Sequence, residues 1–403
     1  MPATTQSPYA SRYQAITGLG YDGVVRVRVG DYYGTGVLLA DGKHILTAAH
    51  LYKYASQPLA STQVIFETAS QNKTAVSAQR VTLHPDYDNS STGNDLAIIT
   101  LTNSAYTDAQ RYTLYRSTEL AGQPFTMIGY GQPGTGNYGQ ESSNTPTRRM
   151  ADNSIDGDVS LLTQYLASVI NWNPPANTQF IADFDNGNYG NDAAGRLLGR
   201  IDIGVGQQEG LITQGDSGGP AFIGNQIAGI ASYTSNPFLN NIHPDVDEQN
   251  NSSYGEIAAW HSLPYYQQWV DQTIRSNYPN APTKASEVQK QVSEGNSGTS
   301  YAYFLLQFTG VRTNPDQILS VDYTTRDGTA KAGMDYFGIS DTLKLYANET
   351  QAVIAVEIIG DSNPEPDETF YLDVSNPVGG SFGVGVVTLT AMRTILNDDG
   401  VIA

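Results

Sequence analysis

Alternating hydrophobic and polar positions run through much of the chain, and this period-two pattern predicts β-strands. Residues 23–30 (GVVRVRVG) place valines on one face of a strand and polar residues on the other. Continuous apolar runs at 95–101 (DLAIITL) and 125–131 (FTMIGYG) predict buried strands. Apolar residues recur at helical spacing at 263–278, where we predict a substantial helix. Residues 133–200, rich in glycine, asparagine, aspartate and serine, are interpreted as long surface loops around scattered strands.

The chain has 403 residues, which is more than one hydrophobic core usually serves, so at least two domains are expected. Proline and small polar residues at 279–285 have the composition of a linker. Beyond it, strand-like runs are separated by turns and no helical period is evident, which favours a β-sandwich. We therefore predict an N-terminal segment at 1–20, a first domain at 21–278, a linker at 279–285 and a second domain at 286–403.

Composition and charge exclude several classes of protein. The formal net charge of −19 repels nucleic acid and anionic membranes, so neither is predicted as a partner. No apolar run reaches 18 residues, so no membrane insertion is predicted. The absence of cysteine excludes disulfides, cysteine-based zinc sites and thiol catalysis. Residues 1–11 lack the apolar stretch of a signal peptide, so we expect that a signal was removed or that the protein is not exported by that route.

The stretch QGDSGGP at 214–220 contains one serine, Ser217, whose role has three possible explanations. Asp-Ser-Gly is ordinary turn chemistry, since glycine supplies positive φ. Residues 215–219 (GDSGG) also match the motif G-x-S-x-G, the nucleophile elbow of α/β-hydrolases. That fold requires the order Ser, Asp, His and alternating strands and helices, whereas only His243 and His261 follow Ser217, in undistinguished contexts. The third explanation is the nucleophile loop of a different hydrolase.

The reverse order, His, Asp, Ser, is present in three short motifs. ILTAAH ends at His50, NDLAIITL carries Asp95 and QGDSGGP carries Ser217. Together, in this order and spacing, they resemble the trypsin/chymotrypsin family of serine endopeptidases, over about residues 21–278 and including the closing helix. The resemblance implies an all-β fold of two six-stranded β-barrels with a C-terminal helix and a catalytic triad in the cleft between the barrels. It assigns the base to His50, its orienting carboxylate to Asp95, the nucleophile to Ser217, and the oxyanion hole to the amides of Gly215 and Ser217.

A rival base–carboxylate pair lies in LHPDYD, where His84 stands beside Asp86 and Asp88. His-Pro-Asp is also normal loop chemistry, and the resemblance places this segment on a surface loop.

The resemblance also predicts residues that bind substrate. Leu211 falls at the base of the family's primary pocket, and Ser232, Tyr233 and Thr234 fall at a pocket wall and the substrate-pairing strand. Leucine cannot hold a basic side chain by charge, so apolar or small P1 residues are favoured. Glu209 nearby offers an alternative that would restore a basic preference.

In many members of the family, the aspartate at position 216 of this chain pairs with an N-terminal amine released by cleavage. Residues 15–18 (AITG) loosely resemble the usual mature start, and Arg12 is a candidate cleavage point upstream. Neither matches the family pattern closely, so activation by cleavage stays an open alternative.

The segment from Ser286 onward is strongly acidic, with 16 aspartate or glutamate residues against six lysine or arginine residues. The motifs VSEGNSGT, RDGTAKAGMDY, GDSNPEPDETFYLDVSNP and TILNDDG occur in order. They resemble the Calx-β domain, an immunoglobulin-like β-sandwich in which carboxylates at one end bind calcium. Carried onto this chain, the calcium ligands are Glu294, Asp335, Asp361, Glu365, Asp398 and Asp399. The alternative is a solvated acidic rim that binds no ion.

These inferences predict a secreted, extracellular bacterial serine endopeptidase that cleaves protein or peptide substrates. No cofactor is expected for catalysis, and Ca²⁺ is expected in the C-terminal domain. An extracellular protein or surface is the partner we consider for that domain. The alternatives are a catalytically silent protease-like adhesion or scaffold protein, and an esterase that uses the same triad.

Overall fold

The computed structural model describes residues 2–71, 73–89, 93–162, 174–237 and 242–399, and β-strands dominate these residues. The strands are β1 Ala3–Thr4, β2 Val24–Val29, β3 Tyr32–Leu38, β4 His44–Thr47, β5 Thr62–Phe66, β6 Thr74–Leu83, β7 Ala97–Leu101, β8 Thr113–Leu114, β9 Pro124–Gly129, β10 Gly134–Thr135, β11 Gly139–Gln140, β12 Arg149–Ser154, β13 Gly157–Asp158, β14 Gln179–Asp183, β15 Gly210–Leu211, β16 Pro220–Ile223, β17 Gln226–Ser235, β18 Ile257–Ser262, β19 Gln291–Ser293, β20 Thr299–Gln307, β21 Leu319–Asp327, β22 Ser340–Leu345, β23 Gln351–Ile359, β24 Glu368–Val378 and β25 Thr388–Leu396. The α-helices among the described residues are α1 Pro58–Ser61, α2 Ala193–Leu198 and α3 Leu263–Ser276. The short 3-10 helices are Ser11–Tyr13, Ala49–Tyr52, Tyr189–Asn191, Gly206–Gln208 and Ala285–Glu287. The predicted helix at 263–278 is therefore present as α3.

The chain folds as two compact units. The first consists of Met1–Leu39 and Lys43–Val270, and the second of Ala40–Gly42 and Asp271–Ala403. None of the helices in the described residues is both long enough and apolar enough to cross a membrane.

The first half of unit 1 is a closed six-stranded barrel in the order β2-β3-β4-β7-β6-β5. Its strands show why the period-two pattern is predictive: Val25, Val27 and Val29 of β2 enter the buried core, while Arg28 between them is exposed. β4 and β7 are buried at every position, as expected of continuous apolar runs at the centre of a barrel.

The second half of unit 1 is a sheet in the order β12-β9-β16-β17-β18-β14-β13, with β8 attached to β17. Phe125, Phe180 and Trp260 meet in its core, and the rings of Phe180 and Trp260 stack with centroids 5.6 Å apart. The predicted all-β class, with chymotrypsin-like barrels and a C-terminal helix, is confirmed. In the described residues the part predicted as a second six-stranded barrel is an eight-stranded sheet, which we call the second barrel. A small sheet, β11-β10-β1-β15, lies apart from this path.

The interpretation of residues 133–200 as long surface loops is wrong for much of that region. All five residues of β14 are buried, as are most residues of α2. The polar composition was misleading because several of its aspartates are themselves buried. Residues 163–173 of this region lie outside the described residues.

Unit 2 contains a five-stranded sheet, β19-β25-β24-β21-β22, and a two-stranded sheet, β20-β23. Side chains from both sheets, including Phe304, Ile354 and Phe370, share one buried core. Tyr336 stacks on Phe370 with ring centroids 4.6 Å apart. The predicted C-terminal β-sandwich is thereby confirmed.

Candidate active site and acidic end cluster

Strand pairing brings His50 and Asp95 together. His50 lies in the 3-10 helix just after β4, Asp95 lies just before β7, and these strands pair with Thr47 opposite Ala97. His50 Nδ1 lies 2.7 Å from Asp95 Oδ2, and the backbone amide of His50 donates to Asp95 Oδ1 at 2.7 Å. The carboxylate therefore holds both the ring and the main chain of His50.

Asp95 is only 2 % exposed, and two further residues contact it. The Ser232 hydroxyl donates to Asp95 Oδ2 at 2.5 Å, and the amide of Asp95 donates to His261 Nε2 at 3.1 Å. Burial opposes ionisation of this carboxyl, but the charge and hydrogen bond of His50, with His261 and Ser232, outweigh it and lower the pKa of Asp95. Asp95 is therefore held as a carboxylate. Sequence analysis missed His261, because its role depends on the pairing of distant strands.

The His50 side chain is 33 % exposed, so it is open to a reacting group. Burial of the ring disfavours its charged form, but the charge and hydrogen bond of Asp95 more than offset this and raise the pKa of His50. The imidazole is therefore a stronger base than a free histidine.

The loop that carries Ser217 packs directly on the segment that leads to His50. The amide of Thr35 donates to the Ser217 carbonyl at 2.8 Å. Gly218 has φ +83°, and a Cβ there would lie 2.2 Å from Thr47 Oγ1 and 2.8 Å from the Ala48 amide. Only glycine permits this approach. Among the described residues, no hydrogen bond joins the Ser217 hydroxyl to His50, as is common for catalytic contacts in the absence of substrate.

The turn at Gly215 leaves two backbone amides free. Gly215 has φ +100°, and its carbonyl accepts from Thr35 Oγ1 at 2.9 Å. Within the described ranges, neither the Gly215 amide nor the Ser217 amide donates to a protein acceptor. Two free amides on a turn, with one residue between them, are the arrangement that stabilises a developing oxyanion.

Asp216 points away from these amides and is buried. Its Oδ1 accepts from the Gly131 amide at 2.8 Å, and its Oδ2 accepts from the Thr213 amide at 2.9 Å. Pro2 and Asp216 line the same narrow space. The predicted mature start lies elsewhere: Ala15 accepts a hydrogen bond from Arg148, and the Gly18 amide donates to Asp22. Pro2, and not residues 15–18, is thus the N-terminal residue that lies near Asp216.

The predicted pocket residues lie in different environments. Leu211 is fully buried in the core of the second barrel, beside Ala3 and Phe125. Ser232 lies at a bulge of β17, which turns its hydroxyl onto Asp95. Tyr233 donates to Gln179 Oε1 at 2.9 Å, and Thr234 donates to Asn250 Oδ1 at 3.1 Å.

Glu209 does not face a substrate pocket. Its two carboxylate oxygens accept from the amides of Asp185, at 2.5 Å, and Val205, at 2.8 Å, and the residue is 1 % exposed. The alternative in which Glu209 restores a basic P1 preference is therefore wrong, because both oxygens are already engaged inside the protein.

The rival pair at His84 does not form. His84 Nδ1 accepts from the backbone amide of Asp86 at 3.3 Å, and the ring packs against Tyr266 and Trp269. Burial lowers the pKa of His84, against the charge of Asp86. His84 is a packed loop histidine.

Acidic side chains gather at one end of the sandwich in unit 2. One carboxylate oxygen each from Asp335, Glu365 and Glu368 lie within 4.8 Å of one another. Asp335 and Glu365 were predicted from the sequence. Glu368 was not, because it opens β24 and gives the pattern of an exposed strand position.

The other predicted ligands surround this trio. Burial, followed by the charges of Asp361, Glu365 and Asp399, raises the pKa of Glu294 to about 7. Asp398 accepts from the Gly295 amide at 3.1 Å, and Asp399 accepts from Asn296. Asp361 accepts from the Asn363 amide at 2.6 Å. The seven carboxylates of this end cluster are Glu294, Asp335, Asp361, Glu365, Glu368, Asp398 and Asp399.

Two family models match parts of the chain. Residues 13–161 match the family model described as Trypsin, and residues 302–399 match that of the Calx-beta domain. The trypsin match includes His50 and Asp95 and ends before Ser217. The predicted trypsin-like domain followed by a Calx-β domain is confirmed.

Curated relatives are sodium/calcium exchangers. Human sodium/calcium exchanger 2 is 40% identical over 201 residues, which cover 43% of this chain and 20% of that protein. The exchanger Calx of Drosophila melanogaster is 40% identical over 81 residues, which cover 20% of this chain and 8% of that protein. This chain thus spans a fifth or less of these relatives. Among solved structures, mouse neuropsin, titled a serine protease, aligns with a TM-score of 0.46 and 20% identity over 65% of this chain and 98% of its own.

Proposed function

We propose that this chain is an extracellular serine endopeptidase that hydrolyses peptide bonds through an acyl-enzyme intermediate. The observation that carries the proposal is the His50–Asp95 pair, in which a buried carboxylate raises the basicity of a partly exposed imidazole. The adjoining Ser217 loop, with its two free amides, supports the same reaction.

Each residue has a distinct part in the proposed reaction. Ser217 Oγ attacks the carbonyl carbon of the peptide bond while His50 Nε2 takes its proton. The negative charge that develops on the carbonyl oxygen is stabilised by the amides of Gly215 and Ser217. His50 then gives the proton to the leaving amine, and water hydrolyses the acyl-enzyme by the same steps in reverse. Asp95 keeps the proton of the imidazole on Nδ1 and stabilises the imidazolium.

The test combines active-site labelling with substrate profiling. A fluorophosphonate probe should label the wild-type chain and Ser56→Ala, an exposed serine of the same unit, but not Ser217→Ala. A peptide library and a denatured protein should then be cleaved, which distinguishes an endopeptidase from an esterase. Failure of the wild-type chain to label or to cleave would favour the catalytically silent scaffold.

We propose that the acidic end cluster of unit 2 binds Ca²⁺. Calcium prefers six to eight oxygen ligands, and this end offers carboxylates from four segments outside the strands and from the start of β24. Asp399 Oδ2 is buried without a hydrogen-bond partner, as expected of an oxygen whose partner is an ion. Extracellular calcium modules bind the ion with Kd values of about 10⁻⁴ to 10⁻³ M, and occupancy of this end cluster at such calcium concentrations is part of the proposed extracellular function. An extracellular protein or surface is the proposed partner of this domain.

A further inference from the structure

A separate group of carboxylates is buried inside unit 1, in the region where surface loops were expected. Three of them surround the start of α2: Asp183 ends β14, Asp185 follows it, and Asp192 is the N-cap of α2. The buried Asp156 and Glu209 and the half-buried Asp202 complete this group, which we call the inner acidic cluster. Asp185 is 3 % exposed and Asp192 is fully buried. Carboxylates are seldom buried to this extent unless something neutralises them.

Backbone amides satisfy part of the cluster but not all of it. Asp183 Oδ2 accepts from the Ala194 amide at 2.6 Å, and Asp192 Oδ1 accepts from the Gly195 amide at 2.5 Å. Asp185 Oδ1 and Asp192 Oδ2 are buried and have no hydrogen-bond partner. The amide of Asp202 faces Asp192 without reaching hydrogen-bond geometry to Oδ2. An unsatisfied buried carboxylate oxygen is costly, so these two atoms need a partner.

No protein cation supplies that partner within the part of the chain that is described. None of the six carboxylates forms an ion pair with lysine, arginine or histidine there. Arg196 partly offsets the charge on Asp192, but its guanidinium donates to the carbonyls of Gly190 and His243. The neutralising group must therefore be a bound cation or protons.

The geometry favours a cation. One carboxylate oxygen from each of Asp183, Asp185 and Asp192 lies within 4.8 Å of the other two. That limit is about twice the usual calcium–oxygen distance of roughly 2.4 Å, so small side-chain movements would bring all three oxygens onto one ion. We propose that Asp183, Asp185 and Asp192 bind a divalent cation, Ca²⁺, inside the protease unit. Oxygen-only ligands exclude a preference for softer metals.

The crowding of these buried carboxyls favours their protonated forms as long as no ion is bound. Burial, then the charge of Glu209 and the neighbouring aspartates, raises the pKa of Asp185 to about 9. Burial likewise raises the pKa of Glu209 to about 8 and that of Asp156 to about 7. A cation at the centre would reverse these shifts, because it favours the charged form of every neighbouring carboxyl.

Such an ion would join parts of the second barrel that are distant in sequence. Asp183 belongs to β14, and Asp192 begins α2. Glu209 binds the amide of Asp185 and directly precedes β15, which leads to the Ser217 loop. The ion would therefore order the segment at 183–209, whether or not the chain is a protease.

The test measures bound calcium on the full chain, with Ser217→Ala as the background that prevents self-digestion. Asp185→Asn and Asp192→Asn should each lower the calcium bound per chain by one in native mass spectrometry and equilibrium dialysis. Asp31→Asn, an exposed carboxylate of the same unit, should lower it by none. Glu365→Gln should affect calcium bound by the sandwich and leave the calcium of unit 1 in place.

Thermal stability provides a second readout, because Asp185→Asn should lower the melting temperature only when calcium is present. In chelator, Asp185→Asn should melt at or above the temperature of the background, because a neutral amide replaces a buried carboxyl that only a proton can neutralise there. In calcium it should melt lower, because it has lost a ligand. A protein that neutralises the cluster with protons would show unchanged calcium stoichiometry and the same shift in melting temperature in both buffers, which would overturn the proposal.

If both asparagine variants fail to fold, the site can be tested by soaking crystals of the Ser217→Ala chain in terbium and measuring the anomalous density. Anomalous density between Asp183, Asp185 and Asp192 would support the site. Density confined to the sandwich would reject it.

Discussion

Ser232 Oγ and His50 Nδ1 both contact one atom, Asp95 Oδ2, at 2.5 and 2.7 Å. The serine comes from the second barrel, whereas the histidine and the aspartate come from the first. The orientation of the imidazole therefore depends on a hydroxyl group more than 130 residues from either partner.

Ser232→Ala should lower kcat by roughly ten- to a hundredfold, because a hydrogen bond to a charged group contributes about 1.5–3 kcal/mol. KM should change little, since the lost contact acts on Asp95. Steady-state kinetics on a peptide substrate measures this, with Ser56→Ala as the control. A variant with unchanged kcat would show that the Ser232 hydroxyl is not needed to position Asp95.

The pH profile of kcat/KM should have an acid limb above pH 6.5. Asp95 raises the pKa of His50, and a general base must be unprotonated, so activity is lost as pH falls through that raised pKa. Asp95→Asn should lower kcat about 10⁴-fold and move the limb to lower pH. An acid limb that stays in place in Asp95→Asn would contradict the assignment of this limb to His50.

Gly215→Ala should lower kcat about a hundredfold or more. A Cβ there would lie 2.8 Å from the Tyr33 ring and 3.1 Å from the Tyr130 carbonyl, so the turn would move and displace the two amides. Gly224→Ala is the matched control, since Gly224 also has positive φ but has no atom within 4 Å of the added Cβ. It should reduce thermal stability while kcat stays at the wild-type value. Equal losses of kcat in Gly215→Ala and Gly224→Ala would indicate that backbone strain at positive φ, and not displacement of the two amides, lowers the activity.

Calcium should raise the melting temperature of unit 2, and Glu368→Gln should reduce that rise. An ion that binds only the folded state stabilises it by about 2.7 kcal/mol at a hundredfold excess over Kd. Differential scanning calorimetry in calcium and in chelator measures the effect. Asp316→Asn, an exposed carboxylate outside the end cluster, should behave like wild type. If Glu368→Gln keeps the full rise, Glu368 is not a ligand.

The local pattern of the sequence was sufficient for several of the elements and for the three candidate catalytic residues. Strand β2 and helix α3 follow directly from the spacing of their apolar residues, because burial of one face depends on that spacing. The motifs around His50, Asp95 and Ser217 could be recognised because each lies in a short segment whose chemistry is local. The sandwich could be recognised in the same way.

Contacts between segments that are distant in sequence could not be predicted from local sequence patterns. His261 and Ser232 support Asp95 because β17 and β18 pair in the second barrel, and no local pattern encodes that pairing. The carboxylate of Glu209 was considered as an alternative pocket residue because of its position in the sequence, whereas in the fold it accepts from the amide of Asp185.

The inner acidic cluster shows the same limit most clearly. The sequence determined that aspartates occur among glycines and asparagines near residue 185, a composition typical of exposed loops. Only the tertiary structure determined that these carboxylates are buried, because burial depends on which strands and helices cover a segment. The free energy of a charged group depends on its burial from solvent far more than on its neighbours in sequence.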